Sequence, residues 1–86
     1  MPASLYELTI HAAAVMAERE IDAAWLELAL TRPERTEADR FDASLVHALR
    51  RIPEYGDRVL RVVYNPSYQP PRVVTVHFDR RQKGKP

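Results

Sequence analysis

Leu45-Val-His-Ala-Leu-Arg-Arg-Ile52 fits two periods at once, and the fold turns on which of them it obeys. Leu45, Ala48, Leu49 and Ile52 share a helical face, whereas Leu45, His47, Leu49 and Arg51 alternate as residues on a strand do. The residues downstream favour the strand. Pro53-Glu-Tyr-Gly-Asp57 has turn chemistry and Val59-Leu-Arg-Val-Val-Tyr64 is rich in β-branched side chains, so a hairpin is the economical solution. Asn65-Pro-Ser-Tyr-Gln-Pro-Pro71 then reads as a proline-stiffened loop, and Val73 to Phe78 as the last strand.

Upstream the period changes. Ile10, Ala14, Ala17 and Ile21 recur at helical spacing, which predicts a short helix from about His11 to Arg19 capped by Thr9, with those four residues inward. Asp22, flanked by Ile21 and Leu26, has the arrangement of an N-cap within a hydrophobic staple. A second helix should run from Ala23 to about Thr31, with Leu26, Ala29 and Leu30 inward, and end before Pro33. Residues 34–43 are polar around a single large apolar side chain, Phe41, and read as a loop or a poorly specified edge strand. The expected class is α+β: a helical hairpin on a three- to four-stranded antiparallel sheet, one domain over 1–81, with 82–86 a flexible basic tail.

Composition bounds the rest. The chain has 86 residues, 45% hydrophobic and 29% charged, which is globular and sufficient for one modest core. It has neither an apolar run near 18 residues nor the basic start and apolar stretch of a signal peptide, so a cytoplasmic protein with no membrane role is expected. Cysteine is absent, which excludes disulfide and thiolate chemistry, and the only lysines are Lys83 and Lys85. Charge is split: residues 1–43 carry nine acidic and four basic groups, residues 44–86 three acidic and nine basic, seven of them arginine. Arginine's planar fork of donors matches phosphate, and it matches carboxylate equally well.

Alternation sorts the strands into faces. Leu60, Val62 and Tyr64 share one side and Val59, Arg61 and Val63 the other, so this strand is central. In the last strand Val74, Val76, Phe78 and Arg80 are expected on the helix side. Val73, Thr75, His77 and Asp79 then lie on the open side, where Arg61 joins them with His47 or Arg51. RNA cleavage requires a base for the 2′-hydroxyl, an acid for the leaving oxygen and cations for the phosphate. His77 and His47 are candidates for the first two and Tyr64 can orient or donate. Arg61, Arg80 and Arg51 are the candidate phosphate ligands. The competing account pairs these arginines with the carboxylates of the first half and holds helices to sheet. Three histidines without an i, i+4 pair and no cysteine give no zinc spacing, so no metal and no cofactor are expected. Trp25 reads as a core or rim anchor.

The order His11, Arg19-Glu-Ile21, Trp25-Leu26, Pro33, Arg50-Arg-Ile-Pro53, Arg58-Val-Leu-Arg-Val-Val-Tyr64 and Val73-Val-Thr-Val-His-Phe-Asp-Arg-Arg81 resembles the bacterial family DUF4258. That family is similar in turn to the toxins of toxin–antitoxin pairs with the RelE and BrnT type of fold. The resemblance implies two helices on an antiparallel sheet, ribonuclease-like ancestry and a cognate antitoxin partner. Two departures stand out: relatives often carry a basic residue just after the histidine matched by His11, and a glycine where this chain has Glu20. The expected function is therefore a toxin-like, RNA-binding or metal-independent endoribonuclease domain. The alternative is a non-catalytic interaction module of the same fold, partner-binding or homodimeric.

Overall fold

The computed structural model describes residues 5–82 and is an α+β domain of two layers. Its elements are β1 (Glu7–Leu8), α1 (Ile10–Glu18), α2 (Ala23–Thr31), β2 (Arg35–Ala38), β3 (Val46–Ile52), β4 (Arg58–Asn65) and β5 (Arg72–Asp79). Short 3₁₀ turns at Pro53–Tyr55 and Arg80–Gln82 come after β3 and β5. The ambiguous segment is the strand β3, and its partner β4 is central. The sheet has five strands in the order β1-β5-β4-β3-β2, antiparallel except for β1 beside β5. The expectation of three or four antiparallel strands is thus corrected to a mixed sheet. β2 realises the edge-strand option for residues 34–43, and β1 is too short for any periodicity to show. It is held by the Glu7 N–H donating to the Pro71 carbonyl at 2.9 Å and the Thr9 N–H to that of Val73 at 3.0 Å. The expected tail lies outside the described residues beyond Gln82, which itself closes the last 3₁₀ turn.

Both helix starts obey local chemistry. Thr9 Oγ1 accepts the Ala12 N–H at 3.1 Å and donates to the Val74 carbonyl at 3.2 Å, while Asp22 Oδ1 accepts the Ala24 N–H at 2.9 Å. The inward face of α1 differs from expectation. Ala12 and Met16 are buried and Val15 half-buried, whereas Ala14 and Ala17 are exposed and Ile10 is 93% exposed. The reason lies at the helix end. Ile21 N–H donates to the Met16 carbonyl at 2.9 Å and Glu20 N–H to that of Ala17 at 3.3 Å, a Schellman turn that buries Ile21 against Met16 after the chain has left the helix. Counting Ile21 as part of the helix rotated the predicted face.

Glu20 occupies the left-handed position of that turn, with φ 52°. A side chain there costs about 1 kcal/mol relative to glycine, of which glycine's looser unfolded chain returns part. Glu20→Gly is therefore expected to raise stability by up to about 1 kcal/mol in denaturant unfolding. A clear loss would contradict the strain assigned to this turn.

The core lies between the layers, where Ala12, Met16, Ile21, Leu26 and Ala29 meet Ala48, Ile52, Leu60, Val62, Val73 and Val76. Val73 rather than Val74 enters it. The β4–β5 register shifts there: Val63 faces Thr75, but Tyr64 faces Val73, so Val74 is the extra residue of a bulge. Below the bulge the expected alternation holds, with Val76 and Phe78 toward the helices and Thr75, His77 and Asp79 on the open face.

Candidate functional site: an arginine cleft beside a buried ion network

Cross-strand register gathers the open-face residues around Arg61, whose partners are Leu49 on β3 and His77 on β5. Arg61 is only 7% exposed. Its Nε and Nη2 donate to Asp79 Oδ2 at 3.0 and 2.8 Å, and its Nη1 donates to Glu37 Oε1 at 2.6 Å and to His47 Nδ1 at 2.8 Å. Because a guanidinium only donates, Nδ1 must accept, and His47 carries its proton on Nε2, which donates to Asp39 Oδ1 at 2.7 Å. The result is one network, Asp39–His47–Arg61–Asp79 with Glu37 on Arg61, tying β2, β3, β4 and β5 together.

The titration directions reflect this geometry. Burial pushes the Asp79 carboxyl up, but hydrogen bonds from Arg61 and the Arg81 N–H, with both cations nearby, bring it below the ordinary range. Burial opposes the Arg61 charge too, and Glu37 and Asp79 more than restore it. Glu37 is lowered by Arg61, and Asp39 by the His47 hydrogen bond and the N–H groups of Phe41 and Asp42. His77 is held below the usual imidazole range by the protein around it and then by the Arg61 charge. At neutral pH its ring is a free base.

These contacts redistribute the predicted site residues. Arg61 is engaged by protein acceptors through all three of its nitrogens. Arg51 is clasped by Glu34, which takes its Nε, Nη2 and backbone N–H at 2.7 to 3.2 Å and is itself lowered by that contact. Tyr64 lies on the helix side, half-buried against the core, across the sheet from His77. His47 is on the open face but both its ring nitrogens are committed. Three second-half arginines, Arg51, Arg61 and Arg72, pair with first-half carboxylates Glu34, Glu37 and Glu7, so much of the charge split is answered inside the fold.

His77 and Arg80 remain, and they share a cleft of about 340 Å³ at the end of β5. Its other walls include Arg19 and Ile21 after α1, Tyr55 in the turn after β3, and Arg58 at the start of β4. Among the described residues, Arg19, Arg58 and Arg80 form no ion pair. Arg58 is steadied over the Tyr55 ring, 4.9 Å from its centroid. Tyr55 stacks in turn on Trp25 and Phe78 at centroid distances of 5.2 and 4.9 Å, and Trp25 Nε1 donates to Glu54 at 3.3 Å, so Trp25 is a rim anchor. The cleft's one carboxylate, Asp79, is occupied by Arg61. Three cations and a neutral imidazole on one concave surface favour an anion.

Sequence reasoning missed Arg19, Arg58 and Tyr55. Each sits at a turn with left-handed backbone, at Glu20 or at Gly56 and Asp57, so the signal available was a basic residue adjoining a reversal of the chain. No group of three or more His, Cys, Asp or Glu with metal-binding geometry occurs among the described residues. No helix among them is long and apolar enough to cross a membrane.

No curated protein and no solved structure matches the chain. The family described as domain of unknown function (DUF4258) matches residues 8–78, a span running from the end of β1 to Phe78 and including His77, Arg58, Arg61 and Arg19. The chain therefore belongs to the DUF4258 family.

Proposed function

We propose that this chain is a cytoplasmic, toxin-like RNA-directed domain that holds the phosphodiester backbone of single-stranded RNA in the cleft of Arg19, Arg58, Arg80 and His77. The observation that carries this is the set of three arginines without a carboxylate partner among the described residues, set beside an imidazole that is neutral at pH 7. Guanidinium groups donate to phosphate oxygens in pairs, and an arginine already stacked on an aromatic ring loses little freedom in doing so.

Cleavage at this site would place His77 as the base. It takes the 2′-hydroxyl proton, the 2′-oxygen bonds to phosphorus, the bond to the 5′-oxygen breaks, and that oxygen leaves with a proton from water or from the His77 imidazolium. Arg58 and Arg80 offset the charge growing on the phosphate. The products are a 2′,3′-cyclic phosphate and a 5′-hydroxyl.

The test is incubation with single-stranded RNA, wild type beside His77→Ala, with binding and product ends followed together. Wild type is expected to bind and cut, and His77→Ala to bind comparably and cut at least about 100-fold more slowly. Because the free imidazole is the active form and its pKa is depressed, the rate should already be level at pH 7 and fall only below the ordinary imidazole range. Binding without cleavage in both proteins would leave a non-catalytic RNA-binding module. Absence of binding would remove the proposal.

A second reading, an interaction module, is favoured by β2. All four of its residues are exposed and one edge of it has no strand partner among the described residues, which is the template for an added strand from a cognate antitoxin or from a second copy. Light scattering at low and high salt separates the homodimer from the monomer.

A further inference from the structure

The Arg19/Arg58/Arg80 cleft adjoins a second one. About 490 Å³ of open volume lies on the outer side of β2 and β3, and His77 lines both spaces. Arg35, Arg40, Phe41, His47 and Arg81 border the second, together with Glu37 and Asp39, whose carboxylates are already held by Arg61 and His47. Phe41 has no part in the core: it is 94% exposed, a large apolar ring left in water. A scattered exposed apolar residue needs no explanation, but this one is held out by a built loop.

The loop is fixed on both sides of the ring. Asp39 Oδ2 accepts the Phe41 and Asp42 N–H groups at 3.0 and 2.9 Å, and Asp42 Oδ1 accepts the Ser44 N–H at 2.9 Å and its hydroxyl at 2.6 Å. The Leu45 N–H closes onto the Asp42 carbonyl at 3.1 Å. The other oxygen of Asp39 takes the His47 proton, so the loop is anchored to the ion network beneath the sheet face. Among the described residues Arg40, next to the ring, forms no ion pair, and Arg81 across the cleft is strongly exposed at 3.5 Å from Asp79. A rigidly presented aromatic face with cations on either side is the arrangement on which a nucleobase stacks while its backbone tracks the positive groups.

We propose that Phe41 is a nucleobase platform, receiving the base next to the phosphate held at His77, so that one RNA strand crosses both clefts with His77 at their junction. The proposal rests on the phosphate reading of the first cleft and adds to it a stacking subsite. Because every base has a π-face, this subsite would bind without strong sequence preference.

The probe is a short single-stranded RNA carrying 2-aminopurine at successive positions, titrated by fluorescence and anisotropy. With wild type, quenching is expected at one position. Phe41→Ala should abolish that quenching and weaken binding about 5- to 100-fold, and Phe41→Tyr should restore both. An abasic strand at the quenched position should weaken wild type to the level of Phe41→Ala, and Phe41→Ala should not distinguish the two strands. RNA binding that Phe41→Ala leaves unchanged would overturn the platform and leave the phosphate site standing. A loss that persists equally on the abasic strand would also overturn it, and no binding by wild type would overturn both. The ring is solvated, so circular dichroism of Phe41→Ala is expected to match wild type.

Discussion

Arg61→Ala is expected to cost about 3–5 kcal/mol of folding free energy, a large share of the margin of a domain whose stability lies between about 5 and 15 kcal/mol. The loss comes less from missing attraction than from what remains. Asp79, 5% exposed, would keep a charge with only the solvent-exposed Arg81 guanidinium 3.5 Å away, and His47 Nδ1 would lose its donor. Glu37, whose side chain is 41% exposed, can turn to water and contributes little. Urea unfolding of Arg61→Ala beside the double variant Arg61→Met with Asp79→Leu separates the two effects. The double variant should recover most of the loss, because it removes the stranded charge along with the pair. A cost below about 1 kcal/mol for Arg61→Ala would mean the network is ornamental.

The same network sets an acid limb. Asp79, Glu37, Asp39 and Glu34 all have folded-state pKa values below their ordinary ones. Their contribution is therefore complete above the ordinary carboxylate range and disappears as pH falls through the lower folded values. In Arg61→Ala this limb should flatten, since the cation that most favours the Asp79 and Glu37 charges has gone.

The triple variant Arg19→Ala, Arg58→Ala, Arg80→Ala is expected to lose about two-thousand-fold in affinity for single-stranded RNA at low salt, taking about 1.5 kcal/mol for each charge-assisted contact. The salt dependence carries the more specific signature. Each phosphate neutralised contributes a slope of about 0.7 in log affinity against log salt for a single strand, so the variant's slope should be shallower by about 2. Arg51→Ala is the control: its guanidinium is already clasped by Glu34, and its removal should change affinity less than about two-fold on the scale of exposed ion pairs. Equal losses from the triple variant and from Arg51→Ala would show a diffuse positive surface instead of a site.

How much was legible in the chain depended on whether the deciding interaction was local. Thr9, Asp22 and Pro33 bounded the helices because capping and proline sterics act within a few residues. The β3–β4 hairpin was legible for the same reason, through its turn and the β-branched run beyond. β1 was not: its two residues depend on Pro71 and Val73, more than 60 positions away in sequence. The site divided similarly. His77 came from alternation in one strand; Arg80, which that alternation set on the helix side, reaches the cleft from the 3₁₀ turn after β5, and Arg61's engagement needed Glu37 and Asp79 to arrive from two other strands. Arg19, Arg58 and Tyr55 escaped because turns have no period to read.

The single extra residue at Val74 also decides which chemistry the last strand can offer. Counted strictly by twos from Val73, which is in the core, His77 and Asp79 would point at the helices and Val76 and Phe78 at water. The bulge inverts that count partway along β5, so one strand keeps Val73, Val76 and Phe78 toward the helices and still presents His77 and Asp79 on the open face. A deletion at Val74 would therefore act like a phase error: every side chain to one end of it would change face, Val76 and Phe78 passing from hydrocarbon to water, and the imidazole and its neighbouring carboxylate would be delivered to the wrong side of the sheet. In this fold the position of the reactive groups is a matter of parity, kept by a residue that touches none of them.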